Sequence, residues 1–132
     1  MSAATAVRAH APKQLAFVRA MLGFTGHTDF ELEPLDDSAL LYSLNSRSES
    51  GPRLFVLDPT PFFPAYRPTL DPAVSESLGC AEPALLVVVT VGHEPSGHTA
   101  NLLAPIAFNP LSGAAQQVVL EDDTWPLRAT FG

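Results

Sequence analysis

Leu85-Leu-Val-Val-Val-Thr-Val91 is apolar at alternate and at intervening positions, and most of it is β-branched. The run is far shorter than the roughly 20 residues of a membrane-spanning helix. A continuous β-branched run of this length reads as a strand covered on both faces, at the centre of a sheet or barrel. A second apolar run opens at Thr99-Ala-Asn-Leu-Leu-Ala-Pro105 and ends in Ile106-Ala-Phe108-Asn109. Gln117-Val-Val-Leu120 is a third. Turn residues separate the three, so they are expected to be consecutive strands of one antiparallel sheet.

The preceding chain supplies more short strands. Leu15 to Met21 can form the first, and Gly23 to Gly26 a turn. Phe30-Glu-Leu32-Glu-Pro-Leu35 alternates apolar with polar, the mark of a strand with one wet face. Pro34 belongs at an edge or at that strand's end. Leu40 to Leu44 and Leu54 to Leu57 are two further strands, joined by the polar loop Asn45 to Pro52. Asp71-Pro72 has the form of an N-cap followed by proline at the first helical position, and Gly79 suits the stop. Pro72 to Leu78 is therefore the expected helix. Ser112-Gly113 turns the chain between the last two strands, and Trp125 to Arg128 is a tail that packs back. About seven short strands with one short helix predict an all-β fold, a small antiparallel barrel or sandwich.

Thirteen prolines and eight glycines in 132 residues agree with short strands and loops rather than long helices. The length fits a single domain over residues 1–132, with residues 1–13 a loose N-terminal segment. Cys80 is the only cysteine, which excludes an internal disulfide and fits a reducing compartment. No apolar stretch resembles a secretory signal or a membrane span, and a cytoplasmic protein is expected. Fourteen acidic residues against seven basic ones give a formal charge of −7. That argues against a nucleic-acid-binding surface, which needs clustered lysine and arginine.

Candidate catalytic groups fail on spacing. His93-Glu-Pro-Ser-Gly-His98 separates its histidines by five residues, with Pro95 and Gly97 between. No helix can align those rings as a zinc motif requires, and a solvated turn is the favoured reading. Ser96 lacks a nucleophile elbow. Cys80 follows the end of the helix, whereas a thiol is activated at the other end. Glu121-Asp122-Asp123 lacks a loop that would turn three adjacent carboxylates onto one cation. No phosphate loop or dinucleotide fingerprint is present, and nothing calls for a cofactor.

Asp58-Pro-Thr-Pro-Phe62-Phe63-Pro64-Ala-Tyr66 stands apart. It is too rich in proline to pair inside a sheet. Its three aromatics can plug the end of a barrel or present a contact surface, with one ring inward and another outward. Rings held by proline lose little entropy on binding, and aromatics are favoured at interface hot spots. Asn101 and Asn109 flank the Leu102–Phe108 run, where their side chains are expected to satisfy turn backbones.

These residues in this order resemble a known family. Gly23-Phe24, Asp58-Pro59, Phe63-Pro64-Ala65-Tyr66, Leu78-Gly79 and Val89-Thr90-Val91 precede Thr99-Ala-Asn101-Leu102-Leu-Ala-Pro105-Ile106, Asn109 and Gln117-Val118-Val119-Leu120. Together they resemble the flagellar assembly factor FliW family, from about Phe17 to Arg128. The Asn-Leu-x-Ala-Pro-Ile and Gln-Val-x-Leu pieces are specific as a pair. The chain departs from the family pattern at three places. His27 stands where an acidic residue is usual, Asn45 to Pro52 replaces a Gln-Ser-x-Asp-Asp-Pro loop, and Ala65 replaces the acidic residue before the tyrosine.

The resemblance implies a small barrel-like protein that is not an enzyme. Family members bind CsrA, an RNA-binding translational repressor, and hold it off the flagellin message. They also bind flagellin, and free flagellin releases CsrA by capturing the factor. The expected contact residues are Asp58, Phe62, Phe63, Tyr66 and Asn101, with Glu31, Glu33, Glu121, Asp122 and Asp123 as electrostatic contributors. Two other classes stay open on the residues alone. One is a small-ligand-binding barrel, which an apolar cavity would favour. The other is a hydrolase or metal enzyme using His93, Glu94 and His98, which needs both rings within metal reach of one point.

Overall fold

A computed structural model describes residues 14–21, 24, 26–35, 41–48, 51–90, 98–120 and 125–130. Among the described residues, nine strands and one helix follow in order. They are β1 (Gln14–Phe17), β2 (Asp29–Pro34), β3 (Leu41–Ser46), β4 (Arg53–Leu57), α1 (Pro72–Leu78), β5 (Ala84–Thr90), β6 (Thr99–Ala100), β7 (Ile106–Phe108), β8 (Ala114–Gln117) and β9 (Ala129–Thr130). All the strands join one sheet, in the order β4-β3-β2-β1-β8-β7-β5-β6-β9. β4 also pairs with β5, which closes the seven strands from β4 round to β5 into a barrel. β6 and β9 extend the sheet beyond the closure. The expected all-β barrel with a short helix is thus present. One junction differs from a purely antiparallel design: β1 pairs with β8 in parallel.

β5 is the hub. It pairs with β4 through Val87 to Val89, with β7 through Ala84 to Leu86, and with β6 through Val89 and Thr90. Its alternate residues serve two different cores. Ala84, Leu86 and Val88 face the barrel interior beside Phe30, Leu44, Val56 and Phe108. Val87 and Val89 face outward, into a second core with Leu57, Tyr66, Leu102 and Leu120. That is why this run carries no polar alternation: both faces are covered. In β2 only Phe30 and Leu32 are buried, and Glu31 and Glu33 are exposed. The alternation there reports an outer wall open to water.

The helix forms where its caps require. The Asp71 carboxylate accepts from the Ala73 amide at 2.9 Å, Pro72 opens the first turn, and Gly79 ends it at φ 67°. A left-handed residue at that position is served well by glycine, which has no Cβ to clash. Val74 and Leu78 lie on Ala107 of β7, outside the barrel.

Three expected boundaries shift. The run from Thr99 to Asn109 is two strands, because Asn101 to Pro105 turns between β6 and β7. The Asn101 side chain makes that break by accepting from the Leu103 and Ala104 amides, at 3.1 and 3.0 Å. The last barrel strand is Ala114–Gln117 rather than Gln117 to Leu120. Val118 and Leu120 instead donate to the carbonyls of Pro105 and Leu103, so the chain leaves the ladder but stays pinned to the turn. β1 ends at Phe17, earlier than the apolar run suggests. The expected loose segment at residues 1–13 lies outside the described residues.

Candidate partner-binding surface

The segment from Asp58 to Tyr66 leaves β4 and lies on the outer core. Its backbone closes on itself in successive turns. The Pro59 carbonyl accepts from the Phe62 and Phe63 amides, at 3.1 and 2.8 Å, and the Phe63 carbonyl accepts from the Tyr66 amide at 2.9 Å. Asp58 is buried, and its carboxylate accepts from the Thr60 amide at 3.1 Å. Proline excludes this stretch from a ladder, and these local bonds satisfy the backbone in its place.

Tyr66 anchors the segment. Its hydroxyl donates to the Leu102 carbonyl at 2.6 Å. Its ring meets Trp125 edge-on, with centroids 4.8 Å apart. Burial pushes the phenol well above its ordinary range. Leu102 also donates its amide to the Pro126 carbonyl at 3.0 Å, so one residue ties the aromatic segment, the Asn101 turn and the tail together. Trp125 to Thr130 does pack back, and Ala129 and Thr130 pair with β6 as β9.

The expected contact residues therefore fall into three groups. Asp58, Tyr66 and Asn101 hold the segment and its neighbouring turn from within. Phe63 is half-buried against the outer core, while Phe62 is 38% exposed on the crest of the turn. One ring is thus directed inward and the other outward. Glu31 and Glu33 are exposed on β2, on a different stretch of the barrel wall. Glu121, Asp122 and Asp123 lie outside the described residues.

Among the described residues, no three His, Cys, Asp or Glu side chains converge on a point that could hold a metal ion. His93 and Glu94 lie outside the described residues. Cys80 is a half-buried free thiol. Phe30, Leu44, Leu86, Ile106 and Phe108 are buried together in the barrel interior. Asn109 has an architectural place, as expected. Its Oδ1 accepts from the Leu111 and Ser112 amides, and its Nδ2 donates to the Leu78 carbonyl, which joins the β7–β8 turn to the end of α1.

Two exposed apolar side chains, Phe55 and Leu127, had no signal in the sequence. Phe55 sits in the unbroken apolar run of β4, which does not say which face is wet, yet it is 39% exposed. Leu127, 55% exposed, belongs to a tail with no period.

The sequence profile of the FliW protein family matches residues 2–131. The chain belongs to the FliW family. A flagellar assembly factor FliW from Syntrophus aciditrophicus is 34% identical over 113 residues, covering 83% of this chain and 72% of that protein. One from Bacillus subtilis is 28% identical over 121 residues, covering 89% and 85%. The crystal structure of a flagellar assembly factor FliW superposes with a TM-score of 0.80 at 26% identity, over 92% of this chain and 86% of the other. The FliW resemblance read from the motifs thus holds for sequence and fold together. Among the described residues no helix is long and apolar enough to cross a membrane.

Proposed function

We propose that this chain binds flagellin and the translational regulator CsrA, and couples flagellin translation to flagellar assembly. It does so as one domain in the cytoplasm, as a chaperone-like binding protein with no catalytic step. When flagellin is scarce the chain holds CsrA off the flagellin message. When secretion stalls, free flagellin takes the chain and releases CsrA. Membership of the FliW family supports the flagellar setting. The observation that carries the binding mode is the exposed Phe62 ring, on a segment fixed to the barrel through Tyr66. An aromatic pre-ordered in this way meets a partner with little further loss of entropy. The charge of −7 suits a basic protein partner and opposes direct contact with nucleic acid or an anionic membrane.

Titration calorimetry against flagellin monomer and CsrA from the same organism tests this. Saturable binding to each is expected, with flagellin displacing CsrA. Phe62→Ala should weaken flagellin binding by at least about tenfold, as expected for a hot-spot aromatic. Binding to CsrA should weaken as salt rises through the range where exposed charges are screened. Binding to neither partner, with both folded, contradicts the proposal.

A further inference from the structure

The tail fills a seat that the rest of the chain has already built. The floor of that seat is Tyr66, Ala100 and Leu102, all buried, with Val89 of β5 in the same core. Bonds that do not involve the tail hold the floor. The Tyr66 hydroxyl donates to the Leu102 carbonyl, and the Asn101 side chain accepts from the Leu103 and Ala104 amides. The Asn101 amide donates to the Val88 carbonyl, and the Leu120 amide to the Leu103 carbonyl. On this floor lie Trp125, whose ring meets Tyr66 edge-on, and Ala129, which stands opposite Ala100 in the β6–β9 ladder. Pro126, Leu127, Arg128 and Thr130 are exposed.

The tail is the lightly held part of this arrangement. Its backbone joins the body through the Pro126 carbonyl, which accepts from the Leu102 amide at 3.0 Å, and through a ladder two residues long. Among the described residues no further strand pairs with β9. Lifting the tail would bare an apolar socket over Tyr66. It would also leave the Leu102 amide and the outer edge of β6 without partners. Unmet backbone groups beside apolar surface are costly. Another extended backbone meets both needs at once, because it adds a strand to β6 and carries a side chain into the socket.

We propose that residues 125–130 are a self-inhibiting strap, and that the seat beneath them takes an extended segment of a partner protein. The tail itself shows what fits. The segment brings a large apolar side chain to Tyr66, and the carbonyl of its next residue meets the Leu102 amide. Four places after the large residue it has a small one, facing Ala100. A tethered strap competes at high effective concentration, so a partner gains the seat only by displacing it. The inference deepens the reading above. It rests on the outer layer being the partner-binding surface, and it adds that the chain's own tail competes for that surface.

The test uses the whole protein and a fluorescent peptide copying residues 124–132, read by anisotropy. Binding to the native chain should be saturable but weak, because the tethered tail competes. Trp125→Ala in the protein loosens the strap and should tighten peptide binding about tenfold. Trp125→Ala in the peptide should weaken it about tenfold. In a Cys80→Ser background, Ala100→Cys with Ala129→Cys puts thiols at facing positions of the β6–β9 ladder. Oxidation of that pair should abolish peptide binding, and reduction should restore it. Peptide binding that oxidation leaves unchanged would overturn the proposal. So would binding no tighter on the Trp125→Ala protein than on the native one. Self-association of the native chain that oxidation of the pair abolishes would also overturn it, by giving the seat to a second copy's tail. Flagellin monomer, added as competitor, should displace the peptide, and should bind the oxidised pair at least about tenfold more weakly than the reduced one. Flagellin that binds neither form, with the peptide results intact, would sink the flagellin part of the proposed function and leave the strap standing. Flagellin that binds both forms alike would do the reverse.

Discussion

The barrel interior and the layer outside it are built differently. Inside, Phe30, Leu44, Leu86, Ile106 and Phe108 are wholly buried and come from strands that are bonded to neighbours on both edges. Outside, Phe63, Leu70 and Trp125 are only partly buried, and they ride on segments with no ladder of their own beyond the two-residue β9. A few polar links hold that layer: Tyr66 to Leu102, Asp58 to Thr60, and Leu102 to Pro126. The interior makes the fold cooperative. The outer layer, held at a few points, places aromatic surface near solvent, in the part of a structure that opens most readily.

Breaking the interior should have the largest effect. Phe30→Ala removes a wholly buried ring that meets Phe17 edge-on at 5.3 Å. It should cost about 3–5 kcal/mol in urea unfolding, enough to leave little folded protein. Asn109→Ala removes the acceptor for two turn amides and the donor to Leu78. A loss of about 1–3 kcal/mol is expected by the same measurement, because buried groups are left unmet. Tyr66→Phe keeps the ring and deletes one bond to the outer layer, and should cost about 1 kcal/mol. If Tyr66→Phe cost as much as Phe30→Ala, the distinction between the two regions would fail.

The smallest effect is one of pH. Burial favours the neutral Tyr66 phenol in the folded state and raises its pKa above the ordinary value of 10.0. Its contribution is therefore complete below pH 10 and declines as pH rises above it. Denaturation midpoints of the native protein should fall more steeply above that pH than those of Tyr66→Phe. Parallel slopes would mean that the phenol is not held in its buried bond.

Much of the fold is legible in the residues, for reasons that differ by element. The Asp71-Pro72 start and Gly79 stop mark α1 correctly because both caps act within a single turn. The central strand is recognisable because both of its faces are covered. The break at Asn101 is hidden because Leu102 to Ile106 stays apolar while turning: those residues face the outer core and the turn as well as the ladder. The candidate surface is legible only in part. Motif position finds the 58–66 segment, but whether a ring points in or out depends on Leu102 and Trp125, far along the chain. Phe55 is invisible for a related reason, since its exposure depends on where a distant layer ends.

Hydrogen–deuterium exchange of the protein, alone and with flagellin monomer, tests the division of labour most directly. Amides of β2, β3, β5 and β7 should exchange slowest in both states, with added protection concentrated on residues 60–66 and on the 99–103 stretch beside them. Protection gained chiefly on α1 and the β7–β8 turn, with none on the aromatic segment, would contradict the claim that the barrel carries the outer layer as its binding surface.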